Sequence, residues 1–168
     1  CMVIGAQDDD MQRDYAYTVS RKSSLLQSAA SVGIDAAKAT VDRLGARKIN
    51  TANVPVLLHR DIASSLFGHY VGAISGGSLY RRSSFLLDSL GKQVFPEWLN
   101  IEERPLIKGG LASSSFDNEG VACADMTIVD AGQLATYLYT TYSSRKLNTR
   151  SNGHAGGIHN WLVGDTGH

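Results

Sequence analysis

The sequence has 168 residues, of which 43% are hydrophobic and 19% are charged, as in an ordinary globular chain. Sixteen basic side chains balance sixteen acidic ones, so the formal net charge is zero and the basic footprint of a nucleic-acid-binding protein is absent. No apolar run approaches the roughly 18 residues that cross a bilayer. We therefore expect neither direct nucleic-acid binding nor a membrane segment.

The two cysteines, Cys1 and Cys123, belong to no CxxC motif or Cys/His cluster. They are more typical of free thiols in a reducing cytosol than of a disulfide framework, although a disulfide between them stays open. No signal-peptide pattern opens the sequence, so we expect a cytoplasmic protein. The sequence begins at Cys1 without Met and stops at His168 just after a strand-like run, which indicates a fragment of a longer chain.

The first part of the chain predicts a strand and then a helix. Residues 14–19, DYAYTV, are rich in aromatic and β-branched residues and favour a short strand. Ser31 is a suitable N-cap for a helix over residues 32–44, where apolar residues recur at intervals of three and four. Gly45 is suited to end that helix.

A polar segment, residues 46–53, precedes Pro55 and predicts a domain boundary. We place the first domain at residues 1–50 and the second at residues 51–168.

The second domain opens with a predicted strand that leads into a helix. Residues 55–59, PVLLH, indicate a buried strand that is too short to be a helix. Asp61 is a good N-cap for a helix over residues 62–74, which carries one broad apolar stripe. Gly76 and Gly77 are expected to end it.

From residue 92 onward the hydrophobic pattern changes to a period of two, which is typical of strands. The predicted strands are 93–95, 98–101, 126–129, 134–141 and 158–163. Asp130, Ala131 and Gly132 fit a tight hairpin loop with glycine at positive φ. The order predicts an α+β fold, in which a helix-containing first part is followed by a mostly antiparallel β-sheet domain.

The helix over residues 62–74 raises the question of a zinc peptidase site. Such a helix needs two imidazoles on one face and a carboxylate that takes a proton from the bound water. Here the only helical histidine is His69, and the residues four and five positions before it are Ser65 and Ser64. Neither serine is a useful zinc ligand or base.

Two interpretations of His69 stay open. It is either a partly buried histidine on the same stripe as Ile62 and Leu66, or a ligand whose partners come from beyond this chain. His59, at the end of the predicted strand, would approach it only by an accident of folding.

A glycine-rich segment, residues 152–160 (NGHAGGIHN), is the other candidate site. Its glycines permit a close backbone approach, which suits a loop that grips a peptide, whereas a purely structural turn is the alternative. The segment matches no phosphate-loop pattern. With no neighbouring Cys, Asp or Glu in the sequence it is a weak metal signature, so we predict no metal site. The peptide-binding candidates are His69, Asn152, Gly153, His154, Gly156, Gly157 and His159.

No catalytic residue is predicted in this chain. Asp117 and Glu119, in the run FDNEG, could divide acid and base work, but such a run is more often a turn with solvated charges. No serine lies in a GxSxG nucleophile elbow.

Several separated stretches together resemble the PmbA (TldE) branch of the TldD/PmbA metalloprotease family, also called the modulator of DNA gyrase family. They are LFGHYVGAISGGSLYRRSSFLLDSLGKQV, FDNEGV, TYSSRKL and GHAGGIHNW, in that order. The resemblance extends over residues 14–163. It implies that residues 1–50 end the central family domain and that residues 51–168 form the first part of the C-terminal one.

The resemblance also implies a cytosolic peptidase complex in which TldD-type and PmbA-type subunits pair. TldD-type subunits carry HExxxH on the corresponding helix. In this sequence Ser64 replaces the first histidine, Ser65 replaces the glutamate, and only His69 remains. The implied cofactor, zinc, would therefore be held by the TldD-type partner and not by this chain.

Three functions stay open after this comparison. The first is a subunit that shapes the chamber and binds an extended peptide, while the partner supplies the metal. The second is a non-proteolytic regulatory protein that acts on DNA gyrase or another partner. The third is an independent metallopeptidase whose remaining ligands lie outside residues 1–168.

Overall fold

The computed structural model describes residues 1–165 and shows helices together with antiparallel sheets, which confirms the predicted α+β class. The chain divides into two compact units, Cys1–Val56 and Leu57 onward, and each has its own sheet. The predicted domain ranges, 1–50 and 51–168, concern the organisation of the family and stay a prediction.

The first unit is a β-hairpin with one helix packed on it. Strands β1 (Met2–Gln7) and β2 (Asp10–Tyr15) pair antiparallel, and helix α1 (Ala29–Val41) lies against both. In the hairpin turn Asp8 has a φ of 52°, a left-handed conformation that Asp adopts more readily than most residues.

Helix α1 buries a face of small residues, because Val32, Ala36 and Thr40 are spaced four apart. The fully buried Thr40 hydroxyl donates to the carbonyl of Ala36 at 2.8 Å and accepts from the N–H of Asp14 at 3.1 Å. This bridge satisfies a buried polar group and joins the helix to β2.

The elements predicted for this unit are present but shifted. The strand predicted over 14–19 ends at Tyr15, and β1 was not predicted. The helix predicted over 32–44 begins and ends three residues earlier, because Ser28 and not Ser31 is the N-cap: its Oγ accepts from the N–H of Ser31 at 3.1 Å. The alanines that follow Ser28 are the best helix formers, which explains the earlier start.

In its described residues, 57–165, the second unit contains three helices, α2 (Arg60–Ile74), α3 (Gly76–Tyr80) and α4 (Thr141–Lys146). The predicted buried strand before α2 is wrong, because no described residue pairs with it and Leu57 is 99% exposed. None of the helices within residues 1–165 is both long and apolar enough to cross a membrane.

The sheet of the second unit has four antiparallel strands in the order β5-β4-β3-β6. They are β3 (Leu99–Glu103), β4 (Met126–Asp130), β5 (Gln133–Leu134) and β6 (Trp161–Asp165). Alternation along β3 puts Leu99, Ile101 and Glu103 on its buried face. A carboxylate is thereby placed where an apolar side chain is usual.

The strand predicted over 134–141 is wrong beyond Leu134. The N–H of Leu138 donates to the carbonyl of Ile74 at 3.0 Å, and the N–H of Gly76 donates to the carbonyl of Leu138 at 2.7 Å. These backbone groups thus pair with the end of α2 and not with a neighbouring strand. The strand predicted over 93–95 is reduced to a single bridge to Gln133.

The core of the second unit lies between the sheet and the C-terminal half of α2. Only the last turns of that helix are buried, through Tyr70, Ala73 and Ile74. The rings of Tyr70 and Phe95 pack in a T-shaped arrangement, with centroids 4.8 Å apart. The fully buried apolar residues at the centre are Ile74, Ile101, Ile128, Val129 and Leu134.

Tyr137 closes this core with a buried hydroxyl, and Tyr137→Phe is expected to lower the free energy of unfolding by about 2 kcal/mol. The hydroxyl donates to the carbonyl of Leu86 at 2.6 Å and accepts from the N–H of Ser89 at 2.8 Å, so phenylalanine leaves both groups unpaired. Urea unfolding of the full-length protein measures the loss. Tyr142→Phe is the control, because Tyr142 is 50% exposed, and equal losses in both variants would contradict the prediction.

Candidate functional site

The glycine-rich loop, residues 152–160, connects the region after α4 to β6. Gly153, Gly156 and Gly157 have φ values of 80°, 105° and 116°, which L side chains rarely adopt. The close approach expected of these glycines is observed at Gly153, where an added Cβ would lie 3.0 Å from the carbonyl oxygen of Ala122.

Asn152 fixes the start of the loop. Its Nδ2 donates to the carbonyl of Tyr137 at 2.8 Å, and its Oδ1 accepts from the N–H of Tyr139 at 2.7 Å. The same Oδ1 lies 3.1 Å from Nδ1 of His154. Because an amide oxygen only accepts, Nδ1 of His154 carries the proton.

Asp117 fixes the middle of the loop. Its Oδ2 accepts from the N–H of Ala155, and its Oδ1 accepts from the N–H groups of Glu119 and Val121, each at 2.9 Å. Burial alone would raise the pKa of the Asp117 carboxyl, but these three N–H groups favour its charged form and hold the pKa below its usual range.

The expectation that this acidic run is solvated is wrong for Asp117, which is 5% exposed. Its neighbour Glu119 instead accepts from the N–H of Thr141 at the start of α4, at 2.8 Å. The two carboxylates hold separate pieces of backbone and do not form an acid–base pair.

The loop brings His154 and His159 to Glu103, on the buried face of β3. Oε1 of Glu103 lies 2.6 Å from Nδ1 of His159 and 3.8 Å from Nε2 of His154, and it accepts from the N–H of His159 at 2.8 Å. One donor atom from each of the three side chains lies within 4.8 Å of the others. Burial lowers the pKa of His154, although Glu103 opposes this effect.

Cys123 adjoins the same group, with its Sγ 3.3 Å from Nε2 of His159. The order thiol, imidazole, carboxylate is that of a nucleophilic triad. However, Cys123 is 8% exposed, and burial, together with Asp117 and Glu103, raises the pKa of its thiol. A protonated, enclosed thiol is a poor nucleophile.

The loop has no acid or thiol close to it in the sequence, but in the folded chain it adjoins both. Glu103 and Cys123 come from distant parts of the chain, and the pairing of β3 with β6 brings Glu103 to the end of the loop, opposite Trp161. The one available signal was local: Glu103 occupies a buried-face position in a strand, where an unpaired carboxylate is rare.

Helix α2 carries Ser64 and Ser65 at the two positions where the resemblance predicts a histidine and a glutamate. The hydroxyl of Ser64 donates to the carbonyl of Asp61 at 2.8 Å, and that of Ser65 donates to the carbonyl of Ile62 at 2.7 Å. Both hydroxyls are thus satisfied by the backbone of their own helix. Within residues 1–165, the one group arranged like metal ligands contains no residue of α2. Ser64, Ser65 and His69 on α2 therefore do not fit a metal ion.

His69 is exposed, so the expectation of a partly buried histidine is wrong. Ile62 and Leu66 on the same stripe are 58% and 52% exposed, because the first turns of α2 have no described element packed on them. His69 borders a small, mainly apolar hollow of about 180 Å³, together with Leu66 and Phe85. In the described part of the chain, no hydrogen bond or ion pair joins His69 to the glycine-rich loop.

The chain is similar to known proteins over almost its whole length. The Escherichia coli O157:H7 protein named metalloprotease PmbA is 53% identical over 165 residues, which are 98% of this chain and 37% of that protein. A solved Bacteroides thetaiotaomicron structure, described as a candidate modulator of DNA gyrase, superposes with a TM-score of 0.89 at 23% identity. The superposition covers 96% of this chain and 37% of the Bacteroides thetaiotaomicron chain.

A solved structure of TldE from Thermococcus kodakarensis superposes with a TM-score of 0.50 at 21% identity, over 55% of this chain and 23% of its own. The family described as the PmbA/TldA metallopeptidase C-terminal domain matches residues 51–167. The chain thus spans little more than a third of the curated relative that it matches. With most of its length matched by that domain, the chain belongs to the PmbA/TldD metallopeptidase family.

Proposed function

We propose that this chain is part of a PmbA/TldE-type subunit of a cytoplasmic peptidase complex, in which it binds peptide while a TldD-type partner holds the zinc ion. Membership of a metallopeptidase family supports a role in proteolysis. One observation supports this division of labour, with peptide binding here and the metal in the partner. In α2 the hydroxyls of Ser64 and Ser65 donate to carbonyl groups of their own helix.

A metallopeptidase must coordinate zinc and place a base beside the zinc-bound water. A serine hydroxyl is a weak zinc ligand and is not a base near neutral pH. His69 alone supplies one imidazole, which holds a metal ion poorly. The hydrolytic step is therefore assigned to the partner's HExxxH motif, and this chain contributes to the chamber and to peptide binding.

The peptide-binding candidates fall into two groups by exposure. Gly156 and Gly157 are exposed in the loop, and His69 is exposed on α2, so these three can touch a ligand. The remaining candidates, Asn152, Gly153, His154 and His159, are buried or half-buried and hold the loop in place.

Strand β6 follows the loop directly and lies at one end of the four-stranded order. An extended peptide that adds to such an edge is bound through backbone hydrogen bonds, with little demand on its sequence. This mode suits a peptidase that accepts unfolded substrates.

The first test is reconstitution with the full-length chain and a TldD-type subunit. We expect cleavage of an unstructured peptide only when both are present, and no cleavage when the glutamate of the partner's HExxxH is replaced by glutamine. Cleavage by the full-length PmbA-type chain alone would contradict the division of labour.

The second test concerns the loop and uses a complex inactivated in the partner. Gly157→Ala is expected to weaken binding of a fluorescent peptide about tenfold, equivalent to about 1.4 kcal/mol. Gly109→Ala is the matched control, because both glycines have positive φ and an added Cβ meets nothing within 4 Å at either position. Equal affinities in the two variants would remove the loop from the peptide site.

A second candidate function is a regulatory protein that acts on DNA gyrase without proteolysis. The description of the Bacteroides thetaiotaomicron structure favours it. The zero net charge favours contact with a protein over contact with DNA. Capture of a gyrase subunit by the full-length chain, with no TldD-type protein and no peptidase activity on reconstitution, would select this function.

A further inference from the structure

Two atoms beneath the glycine-rich loop are buried and have no hydrogen-bond partner among residues 1–165: Oε2 of Glu103 and Nε2 of His154. The side chains are enclosed, with 1% of Glu103 and 3% of His154 exposed. Nε2 is 3.8 Å from the other carboxylate oxygen, too far for a hydrogen bond. Buried polar atoms are nearly always paired, so two unpaired atoms in one place indicate a missing partner.

The orientation of His154 shows what kind of partner would fit. Its Nδ1 donates to Oδ1 of Asn152, whose amide is held by Tyr137 and Tyr139. In the neutral imidazole Nε2 therefore presents a lone pair. Metal-bound histidines are usually oriented in this way, with the other ring nitrogen donating to a carbonyl or carboxylate oxygen.

The charges point to a cation. Glu103 is fully buried, and within residues 1–165 its ion-pair partners are two imidazoles and no lysine or arginine. Asp117, also buried, adds a second carboxylate close enough to act on both His154 and Cys123. Buried carboxylates are costly unless a positive charge is near.

We propose that Glu103, His154 and His159 bind one Zn²⁺ ion, which ties the glycine-rich loop to β3. Two imidazole nitrogens and one carboxylate oxygen are a typical zinc donor set, whereas Ca²⁺ and Mg²⁺ prefer oxygen ligands. Nδ1 of His159, now 2.6 Å from Glu103, would bind the ion in the tautomer that carries the ring proton on Nε2.

This site is distinct from the α2 positions, and all three ligand side chains are at least nine-tenths buried, so the role proposed for the ion is to hold the loop. The inference departs from the sequence prediction of no metal in this chain. It does not depend on the proposed function, since a structural ion is compatible with either candidate function.

The test is a zinc titration of the full-length chain without a partner and without a histidine tag. The protein is stripped with a chelator and titrated with Zn²⁺ against a chromophoric competitor. We expect one ion per chain, and an affinity reduced at least tenfold in Glu103→Gln and in His154→Gln, because even outer-shell changes at zinc sites have effects of about 10- to 100-fold. His69→Gln is the control and should titrate like the wild type.

A second measurement guards against misfolded variants. Zn²⁺ is expected to raise the thermal unfolding midpoint of the wild-type chain, and Co²⁺ is expected to give the visible absorption of a tetrahedral site. A folded wild-type chain that takes up no Zn²⁺ would overturn the proposal. So would zinc uptake that is lost in His69→Gln and kept in Glu103→Gln, which would instead place a metal on α2. Failure of peptide cleavage with zinc retained would affect only the proposed function.

Discussion

Replacing Gly132 with alanine is expected to lower the free energy of unfolding by about 4 kcal/mol. Gly132 is the second residue of the two-residue loop between β4 and β5, where Ala131 and Gly132 have φ values of 45° and 77°. Two positive φ values define a type I′ turn, which confirms the predicted tight hairpin with glycine at positive φ. The backbone conformation alone therefore disfavours any residue with a Cβ.

Packing makes the larger contribution. An alanine Cβ at position 132 would overlap Nε2 of Gln93 and the carbonyl oxygen of Phe95, and would lie 2.5 Å from the carbonyl oxygen of Pro96. The two carbonyl groups belong to the backbone and cannot rotate away as a side chain can. The backbone of Gly132 also accepts from the N–H groups of Val94 and Phe95 and donates to Leu99, so a shift to relieve the overlap strains three hydrogen bonds.

Gly91→Ala separates the two effects. Gly91 has a φ of 74°, and an added Cβ meets nothing within 4 Å, so only the conformational penalty of about 1–2 kcal/mol applies. Urea unfolding of the full-length protein measures both variants. If Gly132→Ala loses no more stability than Gly91→Ala, the backbone contacts around the turn do not constrain it as described.

Local patterns in the sequence were enough to predict the elements whose boundaries are set by nearby residues. The apolar stripe predicted α2 with the correct end at Ile74, and Asp130 followed by Ala131 and Gly132 predicted the hairpin. Strand pairing depends on distant residues, and here the predictions failed. Residues 55–59 are apolar but have no partner strand among the described residues, and Leu138 is apolar but pairs with the end of α2.

The candidate site was predicted in its parts but not in its chemistry. The sequence singled out His154 and His159, and it separately noted Asp117 in an acidic turn. It could not show that the loop folds against Glu103, 56 residues before His159, or against Asp117, 38 residues before Ala155. A loop that looked free of acidic neighbours in fact contacts two buried carboxylates. The antiparallel pairing of β3 with β6 brings Glu103 to it, and the N–H of Ala155 donates to Asp117.

Asp117→Ala is the second large effect and is expected to lower the free energy of unfolding by about 3 kcal/mol at neutral pH. The substitution leaves three backbone N–H groups without an acceptor, on Ala155, Glu119 and Val121. Because Ala155 follows His154 directly, the variant should also loosen the glycine-rich loop. Asp125→Ala is the control: Asp125 is bonded to Arg104 at 2.6 Å, but its side chain is 52% exposed, so a loss below about 1 kcal/mol is expected.

The pH dependence of the free energy of unfolding tests whether the charge of Asp117 causes this loss of stability. The pKa of this carboxyl is lower in the folded chain than the usual 3.8. Its charge therefore contributes stability at pH values above that usual pKa, and the contribution is lost as the pH falls through the folded-state pKa. The stability difference between the wild type and Asp117→Asn, which keeps the shape without the charge, should be largest near pH 7 and should shrink below about pH 4. Urea unfolding of both proteins at several pH values measures it, and a difference that stays constant down to about pH 3 would show that the three N–H groups need an oxygen acceptor but not its charge.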